Sequence, residues 1–115
     1  MTENAELDMA GLVAAFHLMW DNYPAPCTLV HASREVIAVN PACDGIGRKP
    51  GMICSRHGPP ENHRGCLADR ALAEHAAQSV RKTAHGTERI TFWLPIDGFA
   101  DYYVHFSVLL DTGTN

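Results

Sequence analysis

The chain has 115 residues, of which 46% are apolar and 19% charged, and its formal net charge is −4. That size and balance fit one folded domain and exclude wholesale disorder. The mild acidity argues against a nucleic-acid groove, which needs a concentrated basic face, and only Arg48-Lys49 and Arg81-Lys82 cluster.

Glu3, Glu6 and Asp8 stand where a secretory signal would carry positive charge. No apolar run approaches the ~20 residues that span a bilayer. The expected location is cytoplasmic, with no membrane or nucleic-acid partner. Disulfides are rare in that compartment, so Cys27, Cys43, Cys54 and Cys66 are expected as thiols or ligands.

In chain order, residues from about 4 to 20 read as an amphipathic helix, because Met9, Leu12, Val13, Phe16, Met19 and Trp20 recur at helical spacing. Pro24 and Pro26 end it. Cys27–His31 and Val36–Asn40 read as a hairpin joined by Ala32-Ser33-Arg34-Glu35. Asn40-Pro41 then opens a turn or short helical piece through Cys43 and Ile46. Residues 47–65 are punctuated by Gly47, Pro50, Gly51, Gly58, Pro59, Pro60 and Gly65, so no long regular element survives there. Long loops of this kind are commonly functional or disordered.

A second helix is predicted over Cys66–Val80, with Ala68, Leu72, Ala76 and Val80 in one stripe and Gly86 beyond its end. Two strands follow. Ile90, Phe92 and Leu94 alternate with Arg89, Thr91 and Trp93. Val104, Phe106, Val108 and Leu110 alternate with Tyr103, His105, Ser107 and Leu109, and Asp97-Gly98 lies in the connection. Strands and helices are segregated, which predicts an α+β domain with an antiparallel sheet, an N-terminal helix and helices packed on one face of the sheet.

That order resembles the PAS fold. Tyr23-Pro24-Ala25-Pro26-Cys27-Thr28-Leu29-Val30 looks like the PAS entry into its first strand. Val36-Ile37-Ala38-Val39-Asn40-Pro41-Ala42-Cys43 looks like the second strand running into a helix that begins with asparagine. The resemblance covers roughly residues 7 to 111 and implies a sensory domain over 25–115, preceded by a helix and connector over 1–24. It also implies five sheet strands, of which four are visible. The chain could stop short of the missing one, a partner could supply it, or the last visible strand could take the central place and leave only an edge strand unaccounted for.

The loop is similar to that of a bacterial PAS subgroup with a Cys, a His-Gly and a Cys-x-x-Cys. Here His63 stands in place of the first cysteine of that pair. The resemblance implies iron–sulfur chemistry for four-cysteine versions, and this sequence lacks a Cys-x-x-Cys. From the residues themselves, Cys54-x2-His57 and His63-x2-Cys66 form two ligand pairs of the types zinc prefers. Zinc or iron on Cys54, His57, His63 and Cys66 is therefore one reading. A bound ion would also offset the entropy of ordering the loop. A Cys54–Cys66 redox pair, with Arg56 and Arg64 nearby, is another. Haem on His75 or His105 is a third; His105 shares its strand face with Tyr103 and Ser107. Each cysteine and histidine also has an ordinary packing or solvated reading, and the cofactor stays open.

No phosphate loop, nucleophile elbow or His-Glu-x-x-His is present, so no catalytic residue and no enzyme activity is expected. The expected function is ligand sensing. Its pocket would be lined by Ile90, Phe92, Leu94, Val104, Phe106 and Leu72. The signal would pass through a homodimer built on the N-terminal helix, where Met9, Leu12, Phe16 and Met19 form a stripe, or to a downstream signalling protein or domain.

Overall fold

A computed structural model of the chain describes residues 8–53, 66–84 and 86–110. Helix α1 spans Met9–Trp20, and strands β1 and β2 span Cys27–His31 and Val36–Val39. A 3-10 helix covers Pro41–Ile46. Helix α2 spans Ala68–Glu74, and strands β3, β4 and β5 span Gln78–Ala84, Thr87–Ile96 and Phe99–Leu110. The five strands form one sheet in the order β2-β1-β5-β4-β3, with every pair antiparallel.

Residues 4–7 of the expected helix lie outside the described residues, and helix α1 begins at Met9. The Asp8 carboxylate accepts from the Gly11 N–H at 2.8 Å and caps it, so the acid sits at the cap and not in the first turn. The first hairpin lies where the sequence put it. Its turn places Arg34 at φ 79°, in the left-handed region.

The larger correction concerns the second helix, which does not reach Val80. It stops at Glu74 because His75 adopts φ 48° and ψ 47°, and the N–H groups of His75 and Ala76 return to the carbonyls of Leu72 and Ala71. Gln78–Ala84 is then a strand, and it pairs with β4 from Gln78↔Trp93 to Ala84↔Thr87. Gly86, expected beyond a helix, instead turns this hairpin at φ 77°. The spacing of Leu72, Ala76 and Val80 imitates a helix. Residues 78–84 also alternate, but as a polar edge strand their alternation carries little hydrophobic contrast. This is the fifth strand. The last strand, β5, does take the central place, between β1 and β4.

Both faces of the sheet are covered. On one, Val30, Val36, Trp93 and Tyr103 pack with Ala68 and Ala71 of α2. On the other, Cys27, Leu29, Ala38 and Val104 pack with Leu12 and Phe16 of α1. Asn40 ties the pieces together. It is fully buried; its Oδ1 accepts from the Cys27 N–H at 2.9 Å, and its Nδ2 donates to the carbonyls of Trp20, Tyr23 and Ala25 at 3.1, 3.2 and 2.9 Å. One amide thus fixes the end of α1, the connector and the start of β1.

Candidate functional site

The strand register decides which residues can meet. In β5 opposite β4, Phe106 faces Phe92, Val104 faces Leu94 and Val108 faces Ile90. Ile90, Phe92, Leu94, Val104 and Phe106 therefore share one face, because side chains two apart on a strand point the same way. Leu94, Val104 and Phe106 belong to the cluster under α1, while Leu72 packs in the opposite cluster with Trp93 and Tyr103. The six residues expected to line one pocket lie on two sides of the sheet. Their alternation is correct; the error is the assumption of one covered face. With both faces packed, apolar content alone does not say which residues look at α2.

The α2 face carries a polar–aromatic patch. His105 opposes Trp93 in the ladder and Thr28 on β1. The His105 and Trp93 rings stack at 5.2 Å and 19°, and Tyr103 meets His105 edge-on at 6.4 Å. The His105 Nδ1 lies 3.0 Å from the Phe92 carbonyl. A carbonyl only accepts, so Nδ1 is the donor in this contact. The Thr91 and Ser107 hydroxyls are 2.9 Å apart on the same face. Thr28 and Tyr103 are each 1% exposed and Trp93 3%. Hydroxyls, an imidazole and large aromatic rings in one walled-in layer are the mixture that orients small molecules in pockets. Sequence reading grouped His105 with Tyr103 and Ser107. It did not join them to Thr28 and Trp93, since that pairing depends on inter-strand register.

Arg34, from the first turn, closes one side of the patch. Its guanidinium holds Asp69 of α2 at 3.1 Å and the Ala32 carbonyl at 2.9 Å. At the other end of α2, His75 Nε2 donates to Asp97 Oδ1 of the β4–β5 turn at 2.7 Å. The two histidines considered for haem thus sit in different settings, one at a surface turn and one stacked on a buried indole.

Cys54, His57 and His63 of the suggested metal set lie outside the described residues. Cys66 is described and exposed, just ahead of α2. Among the described residues no group of three or more His, Cys, Asp or Glu side chains gathers for a metal. Cys27 and Cys43 are buried. Burial, reinforced by the neighbouring Cys43, pushes the Cys27 thiol up to about 12, and burial also raises Cys43. Both are packing residues, as neutral thiols commonly are. No described helix is long and apolar enough to cross a membrane.

No protein-family model matches the chain, and no curated protein matches it. Solved structures do. A sensory box sensor histidine kinase from Vibrio cholerae is 13% identical, with a TM-score of 0.65 over 95% of this chain and 100% of that one. The PAS domain of BvgS from Bordetella pertussis is 18% identical, with a TM-score of 0.64 over 90% and 88%. A domain of an HTR-like protein from Haloarcula marismortui is 18% identical, with a TM-score of 0.61 over 76% and 99%. The fold is that of a PAS domain.

Proposed function

We propose that this domain is a sensory module that recognises a small polar–aromatic ligand on the α2 face of its sheet and relays occupancy through α1. The observation that carries the reading is the patch of Thr28, Trp93, Tyr103 and His105 inside a PAS fold. Two of the structural neighbours are, by name, a sensory box kinase and a PAS domain, which supports a signalling context.

The relay rests on α1. From Met9 to Trp20 the helix contains no Asp, Glu, Lys or Arg. Its Leu12 and Phe16 are spent on the sheet, while Leu18 is 87% and Met19 68% exposed. Apart from His17, which pairs with Asp21 at 2.7 Å, the outer side of the helix is apolar at Leu18 and Met19 and calls for a second covering surface; a second copy of the chain is the partner we assign. A downstream signalling protein or domain would then read the dimer geometry.

A thermal-shift screen of neutral heteroaromatic compounds tests the sensing. A ligand present at 100 times its Kd should stabilise the protein by about 2.7 kcal/mol, and that gain should shrink in His105→Phe, which keeps the ring stack and removes the imidazole. Stabilisation that survives unchanged in His105→Phe, or no stabilisation by any compound, would end this reading. The relay is tested by sedimentation equilibrium. Leu18→Glu should turn a dimer into a monomer, and a wild-type chain that is already monomeric would refute that half.

A further inference from the structure

The α1 face of the sheet holds a cavity of about 230 Å³ between α1 and the turn end of β4 and β5. Its walls are apolar: Leu12, Phe16, Leu29 and Val104 line it, and each is at most 8% exposed. Ala15 and Met19 line it as well, and Met19 is 68% exposed, so the cavity reaches the outer side of α1 there. Leu18 stands beside that mouth. Positions three and four apart are neighbours on a helix surface, so Ala15 adjoins both Leu18 and Met19. At 87%, Leu18 is the most exposed large apolar side chain among the described residues. A hole and a projecting apolar knob therefore share one patch.

A two-fold dimer uses the same patch on both copies, so the patch must complement itself. A knob beside a hole meets that demand by mutual insertion, as side chains do between packed helices. The sizes agree. An apolar cavity of about 150 Å³ takes up benzene, and the isobutyl group of a leucine is smaller than benzene. Ala15 is small and Met19 is unbranched and adaptable, so the mouth admits a side chain. From Met9 to Trp20 there is no Asp, Glu, Lys or Arg to repel a second α1. We propose that Leu18 of each copy inserts into the α1-side cavity of the other, which makes the cavity a socket of the dimer. This rests on the α1 dimer proposed above and adds which side chain enters it and where. It also gives the relay a route. Leu29 and Val104 face each other across β1 and β5 and form the sheet wall of the socket. Their chain neighbours Thr28, Tyr103 and His105 point to the opposite face and belong to the sensing patch. A ligand that shifts these two strands changes the shape of the socket.

Two variants of the full chain test the insertion. Leu18→Ala removes the plug and keeps the socket, whereas Ala15→Phe fills the socket and keeps the plug. Neither homodimer then has an intact contact. Sedimentation equilibrium should show each weakened about a hundredfold, at about tenfold for each leucine burial lost. Mixed together, the two variants restore one contact, because the filled copy still places Leu18 in the open socket of the other. The heterodimer should form about tenfold more tightly than either homodimer and exceed its statistical proportion in native mass spectrometry. Merely statistical mixing from a dimeric wild type would overturn the insertion and leave the α1 dimer standing. A monomeric wild type would overturn both. The unaltered chain gives a second measurement that stands even if Ala15→Phe fails to fold. In a mixture of 13C-labelled and unlabelled protein, isotope-filtered NMR should show cross-peaks from the Leu18 methyls of one copy to the Phe16 and Phe99 rings of the other. A dimer without those cross-peaks would overturn the insertion.

Discussion

Asn40 offers the sharpest test of how this chain holds its shape. Asn40→Ala removes an acceptor from the Cys27 N–H and a donor from three carbonyls, all at 2.9–3.2 Å. A buried group left without its partner costs about 1–3 kcal/mol, and a satisfied bond is worth about 1. The Cys27 amide faces the full penalty, because both it and Asn40 are 0% exposed. The three carbonyls share two amide hydrogens and are nearer the surface, so water recovers part of their loss. The sum is about 3–5 kcal/mol, a large fraction of the 5–15 kcal/mol typical of a domain. At roughly 4 °C per kcal/mol, the melting temperature should fall by about 12–20 °C. Urea unfolding followed by circular dichroism gives the free energy directly. Asn40→Asp keeps the acceptor for Cys27 but turns a carboxylate toward three carbonyl oxygens. Its folded-state pKa is therefore raised, and its deficit relative to Asn40→Ala should grow as pH rises. A loss below about 1 kcal/mol for Asn40→Ala, the value of one ordinary bond, would refute the role given to this amide.

The Cys27 thiol, raised from 9.0 to about 12, makes an alkaline prediction. A raised folded value favours the neutral thiol, so its stabilisation is complete below pH 9 and is lost as pH climbs toward 12, by up to about 1.4 kcal/mol per pH unit. Cys27→Ala should flatten that part of the stability profile in urea titrations run at several pH values. Iodoacetamide at neutral pH should label exposed Cys66 and spare Cys27 and Cys43 until urea is added, with mass spectrometry as the readout. His75 is held in the left-handed region at φ 48°. His75→Gly relieves about 1–2 kcal/mol of strain and gives up only a solvent-exposed pairing with Asp97, which contributes less than that, so it should be neutral to mildly stabilising. His75→Val, β-branched in that conformation, should cost more than 1 kcal/mol in the same unfolding assay. Gly98 has φ 85° and open space around a notional Cβ, so Gly98→Ala should cost about 1–2 kcal/mol through backbone strain alone.

What could be read from the sequence follows from where physical contrast is strong. The β1–β2 and β4–β5 hairpins were legible because apolar alternation and the Asp97-Gly98 turn agree. β3 was not, because an edge strand tolerates Ser79, Arg81 and Thr83 on one side and only Val80 signals burial on the other. The asparagine at the start of the 3-10 helix was legible as a PAS-like feature. Its hydrogen bonds to residues 15 to 20 positions earlier in the chain were not, since they exist only once α1 and its connector fold over the sheet. The binding patch was partly legible. Tyr103, His105 and Ser107 share a face by simple alternation, but Thr28 and Trp93 join them through register across β1 and β4.

A sheet covered on both faces poses a problem of specification. A half-buried sheet rejects a one-residue slip because its apolar set would turn to water. Here a slip of β5 would exchange Val104 and Phe106 for Tyr103 and His105, and both sets would still be covered. Hydrophobicity alone discriminates weakly between the two registers, so polar contacts and turn geometry must do it. The Thr91–Ser107 hydroxyl pair is satisfied only when these residues face each other. The Tyr23 hydroxyl donates to the Ser107 carbonyl at 2.8 Å and locks β5 against the connector. The His105 imidazole reaches the Phe92 carbonyl only with Trp93 directly opposite. The irregularity between Pro95 and Ile96 and the left-handed Gly98 set the loop that delivers β5 in this register. The polar groups of the proposed sensing patch are therefore also part of what fixes the sheet: His105→Phe keeps the ring stack but loses the contact with the Phe92 carbonyl, so its unfolding free energy is measured without ligand first and only a smaller ligand-induced gain on top of that baseline counts as lost recognition.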